Sequence, residues 1–273
     1  MKKRALSLIL ALLLAVSLFG TSAFAAGAST QCLAPDTAAV ATIRDLKGIS
    51  GDTIVYPKAL ETTDAKYPVI AWANGTGCIT PLYYKLFEMF AKAGYIVIAD
   101  TNVMAGDGKS LIQSIDYIIA KNSDPSSVFY NKVDVDNIGA SGHSQGGKGA
   151  VCAASKDSRI KCILSIAGAS TAAEAKGVTC PAFYMTGSAD LIVLSSMWVK
   201  PSYKASNGPA VYACLKNAPH TTCMFVPDRI GEFGIQWFDA YLKANGDVNA
   251  LLTFANNLMS DSHWKDVACR NFG

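Results

Sequence analysis

The sequence predicts one α/β domain with a mostly parallel central sheet and helices on both of its faces. Two patterns carry that prediction. Short, unbroken apolar runs alternate with longer stretches of helical period. A strand that is apolar throughout is one covered on both faces, which is how parallel sheets are built. The second pattern is a Gly-x-Ser-x-Gly turn, Gly142-His-Ser-Gln-Gly146, set between a strand-like and a helix-like run. Repeats, low-complexity linkers and breaks in composition are absent, so no second domain is expected.

Taken in order, the chain opens on Lys2, Lys3 and Arg4, an apolar run from Ala5 to Phe19, and Ala23-Phe-Ala25. That is the layout of a secretory signal peptide with a small-x-small cleavage site. The apolar run is shorter than the roughly 20 residues that span a bilayer. The Ser-Thr-Gln before Cys32 does not form a lipoprotein cleavage box, so no membrane anchor is expected. The expectation is a secreted monomer consisting of residues 26–273. Thr53 to Tyr56 predicts an antiparallel edge strand, and Val69 to Ala73 a buried one. Tyr83 to Lys92 has helical period and is closed by Gly94; Tyr95 to Ala99 is a buried strand. Ser110 to Ala120 is helical, with Leu111, Ile112, Ile115, Ile118 and Ile119 on one side. Val133 to Ile138 and Gly147 to Ala154 are the strand and helix around the glycine-flanked serine. Ile160–Ala167, Ala182–Thr186 and Ala210–Leu215 are further strands, and Phe233 to Ala244 is an amphipathic helix. The longest insertion, Ser195 to Gly208, is too short for a large lid.

Charge narrows the partners. The formal net charge is +3, and the leader alone carries three basic residues and no acid. The remainder is balanced, which argues against a nucleic-acid partner. The eight cysteines all follow the leader, and export makes disulfides an expectation. Cys162 and Cys180 each begin a strand and are placed to meet at the base of the sheet. Cys223, just after His220, is placed to pair with Cys214 or Cys269, while Cys152 reads as a buried free thiol. No C-x2-C pair exists, so no metal site is expected.

The chemistry centres on Ser144. In a sharp strand-to-helix turn the serine sits in strained backbone, and glycines two residues before and after let the neighbouring elements approach. The turn also directs the Gln145 N–H at a developing oxyanion. Ligands gather at the carboxyl ends of parallel strands, which selects among only three histidines. His143 is on the turn itself, with its side chain expected to point away from the nucleophile. His263 has no strand before it, whereas His220 follows Ala210–Leu215 by a short loop and is the expected base. Between serine and histidine in chain order, the acids are Asp157, Glu174 and Asp190. Asp157 reads as a surface charge beside Arg159. Glu174 is an alternative one strand earlier, and Asp190, at the end of Ala182–Thr186 and before Leu-Ile-Val193, is preferred. The loop Asn74-Gly-Thr-Gly77 supplies the second oxyanion donor, the Thr76 N–H first and Gly75 as the near alternative.

These stretches resemble the α/β-hydrolase superfamily, and within it secreted bacterial cutinase-type polyester hydrolases and chlorophyllase-like serine esterases. The resemblance runs from about Thr53 onward. It rests on Asn74-Gly-Thr-Gly followed by Tyr84, on Ala93-Gly-Tyr-Ile-Val-Ile98, Gly-His-Ser-Gln-Gly-Gly147, Thr186-Gly-Ser-Ala-Asp190, and the spacing from Ser144 to Asp190 to His220. It implies a triad at those three residues, an oxyanion hole at Thr76 and Gln145, and an apolar acyl-groove wall at Ile192. It also implies that the substrate is a small or polymeric ester and that no cofactor is needed. One departure concerns the aromatic clamp of polyester hydrolases: Gly168-Ala-Ser-Thr171 stands in its place, leaving Trp198 as the candidate substitute. Cysteine-dependent dienelactone hydrolases are disfavoured by Ser144. A non-catalytic secreted binding protein and a serine peptidase or amidase are the rival readings on the same fold.

Overall fold

In this computed structural model, residues 39–47 and 50–271 are described, and they belong to one compact unit. The expected signal peptide and Cys32 lie outside the described residues. The strands are β1 (Val40–Lys47), β2 (Ser50–Pro57), β3 (Tyr67–Ala73), β4 (Ile96–Asp100) and β5 (Val133–His143), followed by β6 (Ile160–Ile166), β7 (Ala182–Gly187), β8 (Ala210–Leu215) and β9 (Trp264–Arg270). They form one sheet in the order β1-β2-β4-β3-β5-β6-β7-β8-β9. The run from β4 to β8 is parallel throughout, and β1, β2 and β9 pair antiparallel at the two ends.

Helices cover both faces. Here α1 (Tyr84–Lys92), α7 (Asp228–Phe238) and α8 (Val248–Ser260) enclose an aromatic layer of Trp72, Phe87, Phe90, Phe183, Trp237 and Phe254. On the other face, α2 (Lys109–Asn122), α3 (Gln145–Ala154) and α5 (Val199–Ala205) bury Leu111, Ile115, Val151 and Val199 against the alternate residues of the strands. Each such side chain contributes about 1.5–3 kcal/mol on full burial. The short helices α4 (Ala172–Ala175) and α6 (Thr222–Phe225) complete the set. Trp237 is fully buried, and its indole N–H donates to the Ile163 carbonyl at 3.0 Å, which satisfies the polar end of an otherwise apolar side chain.

Several boundaries differ from expectation. Thr53–Tyr56 lies inside β2, which is antiparallel as read but is not the edge, because β1 covers it. At the other end, β9 follows His263 and was not anticipated. Among its side chains only Trp264 is buried, so it lacks the apolar run that marks a buried strand. The helix expected over Phe233–Ala244 starts at Asp228 and changes at Asp239–Lys243 to a wider turn, in which the Ala244 N–H bonds to the Asp239 carbonyl five residues back. The insertion Ser195–Gly208 contains α5 and packs against the second core layer.

Candidate active site

Strand β5 runs through His143 and ends at Ser144, which takes φ 58° and ψ −118° before α3 begins at Gln145. A non-glycine residue at that φ is strained, and the surroundings hold it there. The Ser144 N–H bonds to the Ile166 carbonyl at 2.9 Å, and its carbonyl accepts from Lys148 and Ala169. The flanking glycines are required by contact. A Cβ on Gly146 would lie 2.0 Å from the Ala73 carbonyl oxygen, and one on Gly142 would lie 2.4 Å from the Gly146 backbone. This crowding stacks α3 directly on β3 and β5 and leaves the serine at the mouth of the sheet.

His220 follows β8 on a short loop and is almost fully buried. Its Nδ1–H donates to Asp190 Oδ2 at 2.7 Å. The other carboxylate oxygen of Asp190 accepts the Ile192 and Val193 N–H groups at 2.9 and 2.8 Å. Three donors thus fix the acid, and the acid fixes the imidazole with Nε2 free to accept a proton. No hydrogen bond joins Ser144 Oγ to Nε2 in this structure, as is common where no substrate is bound. Glu174, the alternative acid, is occupied elsewhere. It caps α4 through Thr171 and pairs with Lys148 at 2.8 Å. Asp157 pairs with Arg159, and the His263 ring bonds to nearby Asp261.

Among the described residues, the Thr76 and Gln145 N–H groups make no hydrogen bond, so both are available to an oxyanion. Gly75, the near alternative donor, is not available: its N–H is given to the Tyr83 hydroxyl at 3.1 Å. The same hydroxyl is 3.1 Å from His143 Nδ1, and His143 Nε2 is 2.9 Å from the His220 carbonyl oxygen. The His143 ring is buried and lies 4.5 Å from the His220 ring, centroid to centroid. Burial, with His220 beside it, holds its pKa well below the ordinary histidine value. The sequence reading had set His143 aside and singled out no role for Tyr83. The signal available was a tyrosine one helical turn from the oxyanion loop, and only the tertiary contacts give it meaning.

Ile192 is exposed on the acid loop, in company with Leu191, Leu194 and Met197. Ile79, Met104, Phe225 and Val226, on the loops after β3, β4 and β8, are exposed as well. All of these follow the carboxyl ends of parallel strands. Trp198 was the candidate substitute for the aromatic clamp. It is half-buried at the start of α5 and packs against the second core layer. A cleft of about 410 Å³ begins at Gln145 and runs along α3 past Lys148, Cys152 and Glu174. The Gln145 side chain lies over Gly106, and its Oε1 has no partner. A larger cleft of about 650 Å³, around Asp136, Lys161 and Tyr241, holds none of the candidate catalytic groups.

The seven described cysteines are free thiols. Cys152 is buried on α3, as expected. Cys214 and Cys269 sit on adjacent strands but pair with Lys265 and Val211, out of register with each other. Cys223 is likewise unpaired with either expected partner. No helix among the described residues is long and apolar enough to cross a membrane.

A parallel sheet that delivers a strained serine from β5 and an acid–histidine pair from the loops after β7 and β8 defines an α/β-hydrolase fold. Comparison with known families narrows this further. A family model described as PET hydrolase-like matches residues 23–269, and the chain belongs to that family. It is 27% identical over 203 residues to the cutinase est2 of Thermobifida alba, covering 71% of this chain and 65% of the relative. To the cutinase est1 of the same organism it is 28% identical over 203 residues, covering 71% and 66%. A bis(hydroxyethyl) terephthalate hydrolase of Streptomyces coelicolor is 23% identical over 202 residues, covering 71% and 63%. The chain spans just under two thirds of the length of these relatives. The cutinase-type resemblance read from the sequence is thereby met.

Proposed function

We propose that the protein is a serine carboxylic-ester hydrolase, cutinase- or polyesterase-like, with Ser144, His220 and Asp190 as its triad. The observation that carries this reading is the 2.7 Å His220–Asp190 hydrogen bond beside a serine held at positive φ. His220 Nε2 takes the Ser144 proton as Oγ attacks the ester carbonyl. The resulting oxyanion accepts the Thr76 and Gln145 N–H groups, aided by the positive end of α3. His220 then gives the proton to the departing alcohol, and water repeats the sequence to release the acid and restore the serine.

The exposed apolar residues around the loops suit a small apolar ester or the surface of a polymeric one. The names of the relatives, cutinases and a terephthalate-ester hydrolase, point to the same class. The Gly168–Thr171 segment supplies no aromatic clamp, so aliphatic esters are the favoured substrates. Secretion after cleavage at Ala25, with residues 26–273 acting as a monomer, completes the proposal. In an oxidising compartment the pair proposed to form a disulfide is Cys162 with Cys180, at the bases of β6 and β7. Counting alkylated thiols before and after reduction tests that pair. Initial rates on p-nitrophenyl esters of increasing chain length, with matched anilides, test the activity. The reading predicts ester over anilide and short chains over C16. Turnover of anilides alone, or of no ester, would overturn it.

A further inference from the structure

We propose that Tyr83 and His143 are positioning residues: a bridge of two buried side chains that sets the distance between the oxyanion loop and the catalytic base. The inference rests on the esterase reading above and extends it to groups that touch neither substrate nor the reacting atoms.

The direction of each hydrogen bond follows from the atoms present. The His220 carbonyl can only accept, so His143 Nε2, 2.9 Å away, carries the proton. In a neutral ring Nδ1 is then the acceptor, and the Tyr83 hydroxyl, 3.1 Å away, donates to it. That hydroxyl in turn accepts the Gly75 N–H. The chain therefore runs from Gly75 through Tyr83 and His143 to the His220 backbone, with the Cys78 thiol beside the Tyr83 hydroxyl. One end is the residue before Thr76, and the other is the backbone of the base.

Both rings are held rigidly. Tyr83 is fully buried, and its ring lies 4.9 Å from Trp72 and 5.8 Å from His143. His143 is the last residue of β5, so its backbone is fixed by the sheet. The bridge also accounts for glycine at position 75. A Cβ there would lie 3.0 Å from His143 Nδ1 and 3.2 Å from the Tyr83 oxygen, inside the bridge itself. Burial without a countercharge keeps His143 neutral, so it holds the base without exchanging protons with it. A displacement of the base by about 1 Å costs on the order of 100-fold in rate, which gives such a bridge a catalytic consequence.

The test combines three variants with one spectroscopic measurement on the unaltered protein. Tyr83→Phe and His143→Phe each keep a ring and lose the bridge, whereas His143→Gln keeps an N–H donor for the His220 carbonyl. On p-nitrophenyl butyrate, both Phe variants should lose about 10- to 100-fold in kcat with KM little changed, and His143→Gln should recover most of that loss. In 15N spectra of the wild-type imidazoles at neutral pH, His143 should appear as the neutral Nε2–H tautomer. Folded Phe variants with wild-type kcat, a Gln variant no better than Phe, or His143 as Nδ1–H or imidazolium would each overturn the proposal. If the wild type hydrolyses no ester and Ser144 resists a fluorophosphonate, the esterase reading fails instead, and the tautomer still decides whether the bridge exists.

Discussion

Replacing Asp190 with asparagine separates the two tasks of this carboxylate. Oδ1 accepts the Ile192 and Val193 N–H groups at 2.9 and 2.8 Å, while Oδ2 accepts from His220 Nδ1 at 2.7 Å. An asparagine must keep its carbonyl oxygen on the two backbone donors, because its NH2 cannot accept from them. Its NH2 then faces Nδ1 and forces the imidazole proton onto Nε2, the atom that has to receive the serine proton. The loop turn survives and the base is present in the wrong tautomer. Loss of such an acid in a serine triad costs about 10⁴-fold in kcat, or about 5.4 kcal/mol of barrier. The stability cost should be only about 1 kcal/mol, the worth of one hydrogen bond, or about 2–4 °C for a domain of this size. Initial rates on p-nitrophenyl butyrate and a thermal melt measure both. A variant that melts normally and retains activity within tenfold of wild type would refute the assignment of Asp190.

Other substitutions probe separate steps. Gly146→Ala places a Cβ 2.0 Å from the Ala73 oxygen, a backbone atom that cannot yield. It should cost at least the roughly 3 kcal/mol upper end of overpacking penalties, seen as a collapse in soluble yield or melting temperature. Glu174→Gln removes a half-buried ion pair to Lys148 but keeps the α4 cap. It should lose no more than about 1 kcal/mol and leave kcat within about twofold; a collapse of kcat would reinstate Glu174 as the acid. Burial raises the Asp100 carboxyl above its ordinary range, against hydrogen bonds from the Ser110 hydroxyl and the Asn102 N–H. Folding thus favours its protonated form, and stability falls as pH rises from the ordinary carboxylate range through the raised value. Asp100→Asn should melt above wild type at neutral pH, with the gap closing as pH drops below that range. A gap constant with pH would contradict the cause given.

The interior of this fold was legible because it is covered on both sides. Val69–Ala73 and Ala210–Leu215 are apolar throughout, Ile160–Ala167 nearly so, and the structure places each in the parallel run. The edges were not. Val40–Lys47 and Trp264–Arg270 interleave charges with apolar residues, which hides the apolar run of a strand, and β9 pairs with β8, far back in the sequence. The 228–243 helix was read too short at its start because Asp228-Arg-Ile-Gly looks like a turn by composition. In the candidate site, Ser144, Asp190 and His220 were selected by loop position and chain order, and the structure joins Asp190 to His220. Glu174 remained open until its partner was known to be Lys148. Trp198 was read as a candidate substitute for the aromatic clamp, but position in sequence does not tell which way a helix start faces. Tyr83 and His143 were missed for the same reason: their chemistry resides in contacts 60 and 77 residues apart along the chain.

The most direct measurement of the central claim is covalent labelling with a fluorophosphonate followed by peptide mapping, run in parallel on wild type and Ser144→Ala. The account predicts one phosphonylated residue, Ser144, with ester hydrolysis lost in step with labelling. It also predicts a folded Ser144→Ala protein that neither labels nor turns over p-nitrophenyl butyrate above background. Labelling at another residue, or full hydrolysis by folded Ser144→Ala, would contradict it.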